Sequence, residues 1–120
     1  MNPTMAPAQH LHLDIELDRK HRFHYRSQGR DGRRMVLHRG DTITFTCEDD
    51  FSIRFVKKSP LESARLQSHE ETILQSHESY LTASVRDDAP YGESSYVLKV
   101  KHGGGLFEDS GTIAIEEAGS

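Results

Sequence analysis

The sequence predicts an all-β fold, a single-domain antiparallel β-sandwich. Apolar and polar residues alternate along most of the chain, as in HLHLDIELD, where Leu11, Leu13, Ile15 and Leu17 share one side. Turn-forming stretches such as SQGRDG and DDAPYGESS separate the alternating segments. A chain of 120 residues with 34% hydrophobic content suits one domain. Strands with one apolar face must bury that face against a second sheet, which predicts the sandwich.

The first strands follow in chain order. Residues 1–9 are expected to be a flexible N-terminus, and residues 10–117 to form the sandwich domain. RFHY continues the alternation with Phe23 and Tyr25, and SQGRDG predicts a hairpin over residues 27–32 because glycine adopts positive φ without steric cost. TITFTC and FSIRF predict the next two strands. Their inward residues are Ile43, Phe45, Cys47, Phe51, Ile53 and Phe55.

The segment before residue 80 has a less regular pattern. Ser59 before Pro60, with Glu62 soon after, is typical of a helix start, so we expect at most one short helix around residues 60–78. The segment contains LQSHE twice, which is too few copies for a solenoid. Alternation returns in SYLTASVR, YVLKV and TIAIE, which predict the remaining strands. Their core residues are Leu81, Ala83, Val85, Tyr96, Leu98, Val100, Ile113 and Ile115.

Charge is unevenly distributed along the chain. The net charge of −4 divides into −3 for residues 1–18, +7 for residues 19–39 and −8 for residues 40–120. The basic segment has two interpretations. It binds nucleic acid or another polyanion, with stacking from Phe23, His24 and Tyr25. Alternatively, it pairs with the acidic remainder of its own fold or of an identical subunit. Pairing within the fold is the simpler interpretation. The candidate polyanion-binding residues are Arg19, Lys20, Arg22, Arg26, Arg30, Arg33, Arg34 and Arg39.

Composition disfavours several protein classes. A run of about 20 apolar residues, as a membrane-spanning helix needs, is absent, and MNPTMAPAQH lacks the basic and apolar regions of a secretory signal. Cys47 is the single cysteine and cannot form an intrachain disulfide, which fits a reducing compartment. The absence of tryptophan and of a cysteine pair disfavours an immunoglobulin domain. We therefore expect a cytoplasmic protein without a membrane segment.

Two stretches carry a family resemblance. HRGDTITFTCEDDFSIRF resembles the central strands of cupredoxins, in which a Gly-Asp-Thr-Ile/Val-Thr-Phe strand precedes a polar turn and another alternating strand. YVLKVKHGGGLFEDSGTIAIE resembles their last hairpin, where a strand leads into a ligand loop and a glycine precedes the terminal strand. With flanking residues, the resemblance covers residues 38–58 and 94–116 and implies a cupredoxin-like Greek-key sandwich.

The resemblance also implies a missing copper site. Blue-copper members hold the metal with two histidines, a cysteine thiolate and a weak axial methionine. Phe51 and Ser52 stand where the first histidine follows the polar turn, and Val100 matches the cysteine. Asp109 or Ser110 occupies the region of the methionine. The expectation is therefore a cupredoxin scaffold that lacks the type I copper ligands.

Three histidines are the candidate metal ligands. His102 alone approaches the second-histidine position of cupredoxins. His10 and His12 lie about 7 Å apart on one strand face, where a Zn, Ni or Cu(II) site and an ordinary polar surface are alternatives. Two histidines without a third ligand favour the polar surface, so we predict no metal and no cofactor. Cys47 has inward parity and is expected to be a small buried hydrophobe.

Catalytic motifs are also absent from the sequence. A GxSxG elbow is missing, and HEETILQSH lacks the histidine spacing of HExxH. The glycine stretch Gly103–Gly105 lacks the lysine and the following helix of a phosphate-binding loop, so we expect a hairpin turn there. The sequence predicts a non-enzymatic binding or assembly domain that recognises a protein partner. Alternatives are polyanion binding through residues 19–39 and divalent metal binding through surface histidines, and homodimerisation through an edge strand is open.

Overall fold

The computed structural model describes residues 9–27, 30–31, 34–57, 59–62, 66–67 and 73–117. Within these residues the strands are β1 (His10–Leu17), β2 (Phe23–Ser27), β3 (Arg30–Asp31), β4 (Arg34–Leu37), β5 (Thr42–Cys47), β6 (Phe51–Phe55), β7 (Leu61–Glu62), β8 (Leu66–Gln67), β9 (Ile73–Gln75), β10 (Tyr80–Val85), β11 (Gly92–His102) and β12 (Gly105–Ile115). This part of the chain contains no helix long and apolar enough to cross a membrane.

The strands form two sheets of six. Sheet I has the order β3-β2-β1-β5-β10-β7, and sheet II has the order β4-β12-β11-β6-β9-β8. The predicted all-β, two-sheet sandwich is confirmed. Its pairing is not antiparallel throughout, because β1 pairs with β5, and β4 with β12, in parallel. These parallel pairs arise because the chain changes sheets between the two partners, so both partners start from the same end of the sandwich.

The core lies between the two sheets and follows the alternation in the sequence. Residues of β1 and β5 in sheet I form one hydrophobic cluster with residues of β6 and β11 in sheet II. Each inward residue expected from β5, β6, β10, β11 and β12 is buried. Cys47 belongs to this cluster at 4% exposure, and burial raises the pKa of its thiol. The interpretation of Cys47 as a small buried hydrophobe therefore agrees with its place in the fold.

The segment expected to hold at most one short helix contains short strands in its described part. Residues 61–62, 66–67 and 73–75 are the short strands β7, β8 and β9, and residues 63–65 and 68–72 lie outside the described part. The Ser59 hydroxyl accepts a hydrogen bond from the Leu61 amide at 3.0 Å, as in a turn. Leu61 and Leu74 are fully buried, and Leu61 pairs with Val85. Burial against the sheets outweighs the local preference for a helix start.

The predicted hairpin over residues 27–32 is present. Ser27 pairs with Arg30 and Arg26 with Asp31, so β2 and β3 run antiparallel around residues 28–29, which are not described. The prediction of a flexible N-terminus falls on residues 1–9, of which only residue 9 is described.

A buried carboxylate fixes the chain where it passes from sheet II to sheet I. Asp41, in the turn between β4 and β5, is 2% exposed. Its two carboxylate oxygens accept hydrogen bonds from the Gln9 amide and the His38 amide, both at 2.9 Å. Asp41 therefore holds the start of β1 against the end of β4.

A glycine lets a tyrosine lie across the longest hairpin. Gly111 of β12 stands opposite Tyr96 of β11. A Cβ atom at residue 111 would lie 2.3 Å from the Tyr96 ring, which is 2% exposed. Only glycine leaves room for this buried ring.

Candidate functional site

The outer surface of sheet II carries apolar and cationic side chains next to one another. Register across the strands sets Val97 beside Arg54, and Arg54 beside Ile73. These three outward residues form a row across β11, β6 and β9, at the 4.5–5.5 Å spacing typical of cross-strand neighbours. We call this surface the cationic face and define it by Arg54, Ile73, Val97, Lys99 and Lys101.

A groove of about 480 Å³ runs over the row. Val56, which is 76% exposed, forms part of its wall together with Val97 and Ile73. Arg54 and Lys99 also line the groove, and Glu108 is the acid among its lining residues. Apolar and cationic side chains therefore share one outward depression, whereas outward strand positions of an antiparallel sheet are usually polar.

The glycine loop supports this face from one end. His102 pairs with Gly105, and Gly103 and Gly104 occupy the turn between β11 and β12 with φ of 56° and 84°. Positive φ at both central residues is the geometry of a tight two-residue hairpin turn and explains the glycines. The glycine stretch thus forms a hairpin turn, as the sequence predicts. It follows the end of β11 that carries Lys99 and Lys101.

The opposite outer surface, that of sheet I, is polar and internally bonded. We call it the threonine face and define it by the outward residues His10, His12, Asp14, Thr42, Thr44, Thr46 and Thr82. His10 shares hydrogen bonds with the hydroxyls of Thr42 and Thr44, and His12 with that of Thr46 at 2.9 Å. The two candidate metal ligands of β1 therefore lie exposed on a strand face, with threonine hydroxyls as partners.

His102, the third candidate ligand, lies at one end of the sandwich. Its Nδ1 is 2.9 Å from Asp49 Oδ2 in the turn between β5 and β6. Phe107 stacks on His21, with ring centroids 4.4 Å apart, and the His21 and His102 centroids are 6.2 Å apart. His10 and His12 are not part of this cluster. Among the described residues, no three His, Cys, Asp or Glu side chains converge as a metal site would require.

The basic segment begins in the turn between β1 and β2, where Asp18 organises the chain. Its carboxylate accepts hydrogen bonds from the backbone amides of Lys20 and Arg22 at 2.8 and 2.9 Å. Asp18 Oδ2 also lies 2.8 Å from His24 Nε2 and 3.2 Å from Arg22 Nε. The His24 hydrogen bond is the largest cause that holds the pKa of Asp18 well below its usual range, followed by the Arg22 amide. Arg19 and Lys20 remain exposed on this turn.

The rest of the basic segment is dispersed over the fold. Arg26 lies 3.2 Å from Glu16, and Arg34 lies 3.7 Å from Glu93. Arg39 donates two hydrogen bonds to the Ala89 carbonyl and stacks over the Tyr91 ring at 4.1 Å. The side chains of Arg30 and Arg33 lie outside the described part.

Two of the three residues expected to stack on a polyanion face inward. Phe23 and Tyr25 are half-buried and pack against the core, and the Tyr25 hydroxyl donates to Asp109 at 2.8 Å. Inward parity on β2 explains this placement, because alternate residues of a strand point to opposite faces. His24 alone of the three is exposed.

Sequence reasoning did not single out the residues of the cationic face. A signal was present in β11, because Val97 is apolar although it is out of phase with Tyr96, Leu98 and Val100. Ile73 lies in the stretch for which the sequence predicts at most one short helix, so its outward place beside Arg54 could not be foreseen. His21, which stacks on Phe107, also gave no motif.

Comparison with solved structures finds copper proteins at low similarity. A Cu(I) form of an amicyanin variant is 13% identical with a TM-score of 0.43, covering 87% of this chain and 81% of that chain. An oxidized amicyanin variant is 14% identical with a TM-score of 0.44 over the same shares. McoA multicopper oxidase from the hyperthermophile Aquifex aeolicus is 15% identical with a TM-score of 0.44, covering 92% of this chain and 29% of that chain.

No protein-family model matches the chain, and no curated protein matches it. At the TM-scores of the copper proteins, the likeness carries no argument about metal, chemistry or partners. The resemblance to cupredoxins in the two quoted stretches stays a sequence-based prediction.

Proposed function

We propose that this chain is a non-catalytic binding domain that recognises a protein partner through the cationic face. The observation that carries the proposal is the row of Val97, Arg54 and Ile73, in which two apolar side chains flank an arginine on the outside of sheet II. Arginine and apolar residues are favoured at the centres of protein interfaces. The groove over this row would hold a partner's side chain against both apolar residues.

The proposal includes no type I copper site. Val100 and Phe51, which match the cysteine and a histidine of cupredoxins, stand opposite one another and are buried with apolar neighbours. Asp109, in the region of the methionine, accepts a hydrogen bond from the Tyr25 hydroxyl. Hard oxygen and hydrocarbon groups at these places do not suit a soft copper site, which needs the thiolate.

The test is capture of a partner from a lysate of the source cells by cross-linking and mass spectrometry. Val97→Glu would place a carboxylate in the centre of the cationic face, and Thr82→Glu is the matched control on the threonine face. We expect one protein to be captured by the wild type and by Thr82→Glu but not by Val97→Glu. Capture that is equal for both variants would contradict the location, and a chain that captures no protein would contradict the function.

A second candidate function, polyanion binding, is favoured by one observation. Arg19, Lys20 and Arg22 are exposed together on the single turn that Asp18 orders. This candidate predicts that affinity for a single-stranded oligonucleotide falls steeply with salt and is lost in Lys20→Glu. Binding that is insensitive to salt up to about 0.5 M would remove it.

A further inference from the structure

We infer that the partner segment that occupies the cationic face is extended and acidic, with at least one apolar residue. The inference rests on the proposed function and specifies the chemistry of the partner. Charge on this face, spacing along β11 and the composition of the groove each support it.

Among the described residues, positive charge on the face exceeds what its acids neutralise. Lys99 Nζ lies 3.6 Å from Glu108 Oε1, and Glu93, at the far end of β11, pairs with Arg34. Within the described part of the chain, no ion pair involves Arg54 or Lys101. A second, neighbouring depression is lined by Lys99 and Lys101, and Asp50 is the acid among its described lining residues.

This surplus stands out because the whole chain has a net charge of −4. A local positive potential on an acidic protein attracts negatively charged groups and repels positive ones. A basic partner segment would be repelled at this face, and a neutral one would leave the charges of Arg54 and Lys101 unmatched.

Spacing along β11 matches an extended chain. Val97, Lys99 and Lys101 point outward at every second residue, which separates them by about 7 Å each. An extended peptide repeats at the same interval, so an apolar residue followed by acids two and four positions later would meet all three in order. Arg54, beside Val97 on β6, would reach the carboxylate of a flanking residue.

The groove is better suited to a peptide than to a nucleic acid. Binding of single-stranded nucleic acid combines positive charge with exposed aromatic rings on which bases stack. Phe55 lines the groove but is only 2% exposed, and the exposed lining side chains described there are aliphatic or polar. Val56, Val97 and Ile73 instead offer contact to aliphatic side chains.

The inference is tested with a fluorescein-labelled peptide, Ser-Val-Glu-Glu-Ser-Glu-Ser, whose binding to the full chain is followed by fluorescence anisotropy at low salt. The control peptide carries lysine in place of glutamate. The protein variants are Arg54→Glu and Lys101→Glu, with Lys20→Glu on the β1–β2 turn as the matched charge reversal elsewhere. We expect the acidic peptide alone to bind, and each variant of the cationic face to weaken it about fivefold, because one attraction becomes a repulsion. Lys20→Glu should bind like the wild type.

Several results would overturn the inference. Equal binding of the lysine peptide and the acidic peptide would remove the charge argument. Loss of binding only in Lys20→Glu would place the site on the β1–β2 turn. Equal or tighter binding of a single-stranded oligonucleotide, weakened by the same Arg54→Glu and Lys101→Glu changes, would point to nucleic acid. No binding of the acidic peptide, together with retained Val97-dependent protein capture, would refute the acidic partner and leave the proposed function standing.

Discussion

The two outer faces of the sandwich have the same alternating pattern in the sequence but differ in how their side chains are bonded. On the threonine face, Thr44 joins His10 to Thr82, with hydroxyl contacts of 3.2 and 3.0 Å. On the cationic face, the described surroundings of Arg54 and Lys101 contain no ion pair for either. Alternation determines which side chains point outward. The side chains on neighbouring strands determine whether those outward groups find hydrogen-bond or ion-pair partners. The proposed partner site lies on the face where, among the described residues, Arg54 and Lys101 have no ion pair.

The largest expected effect is destabilisation of sheet II, which carries the cationic face. Gly111→Ala places a Cβ atom against the buried Tyr96 ring, at 2.3 Å in the present geometry. Moving this ring should lower the free energy of unfolding by about 3 kcal/mol, as measured by urea denaturation. The matched control is Gly105→Ala in the same hairpin, where the nearest atom is the Phe107 side chain at 3.3 Å and the loss should be below about 1 kcal/mol. Equal losses in the two variants would contradict the packing of Tyr96 over residue 111.

A somewhat smaller loss is expected at the connection between the sheets. Asp41→Ala removes a buried acceptor from two backbone amides and should lower the free energy of unfolding by about 2 kcal/mol. Asp41→Asn keeps one carbonyl oxygen and should lose less. Thermal unfolding of both variants provides the measurement. If Asp41→Ala were as stable as the wild type, the two amide hydrogen bonds would contribute nothing to the fold.

A third effect depends on pH and concerns the threonine-face sheet. Hydrogen bonds from His24 and the Arg22 amide depress the pKa of Asp18 in the folded chain. The stability that this carboxylate supplies is therefore full above the pKa of an unfolded aspartate, about 4, and is lost as pH falls toward the folded value. Asp18→Asn should reduce the difference in urea midpoint between pH 7 and pH 3. An unchanged difference would show that the Asp18 hydrogen bonds do not stabilise the turn.

The smallest effect compares one substitution on the two faces. Thr44→Val removes a hydroxyl that bonds His10 and Thr82, and should cost about 0.5 kcal/mol in urea denaturation. Thr112→Val makes the same change on the outer side of β12, where no side-chain hydrogen bond is found among the described residues, and should be neutral. A Thr112→Val loss as large as that of Thr44→Val would remove the contrast between the faces.

The sequence predicted the fold well where side-chain parity decides it. Leu81, Ala83 and Val85 are buried as expected, because period-two alternation assigns every second residue to one face. The short strands after Pro60 could not be predicted, since Leu61 is held by pairing with a distant strand that no local pattern reveals. Parallel pairing of β1 with β5 likewise depends on the path of the chain between sheets.

The candidate site was less predictable than the fold. Basic residues from one segment of the sequence, such as Arg26, Arg34 and Arg39, lie on different surfaces because consecutive strands separate them. The cationic face instead joins Arg54 and Lys99, which are far apart in sequence and are brought together by the β6–β11 register. A charge count along the chain cannot detect a surface of this kind.

Cys47 gives the chain a built-in reporter of strand opening. It is the single cysteine, is 4% exposed, and its thiol is disfavoured as a thiolate by burial. Because the thiolate is the reactive form, a thiol reagent would modify the native chain only when β5 leaves the core. The rate of that modification would follow how often the central strand of sheet I detaches, without any added label.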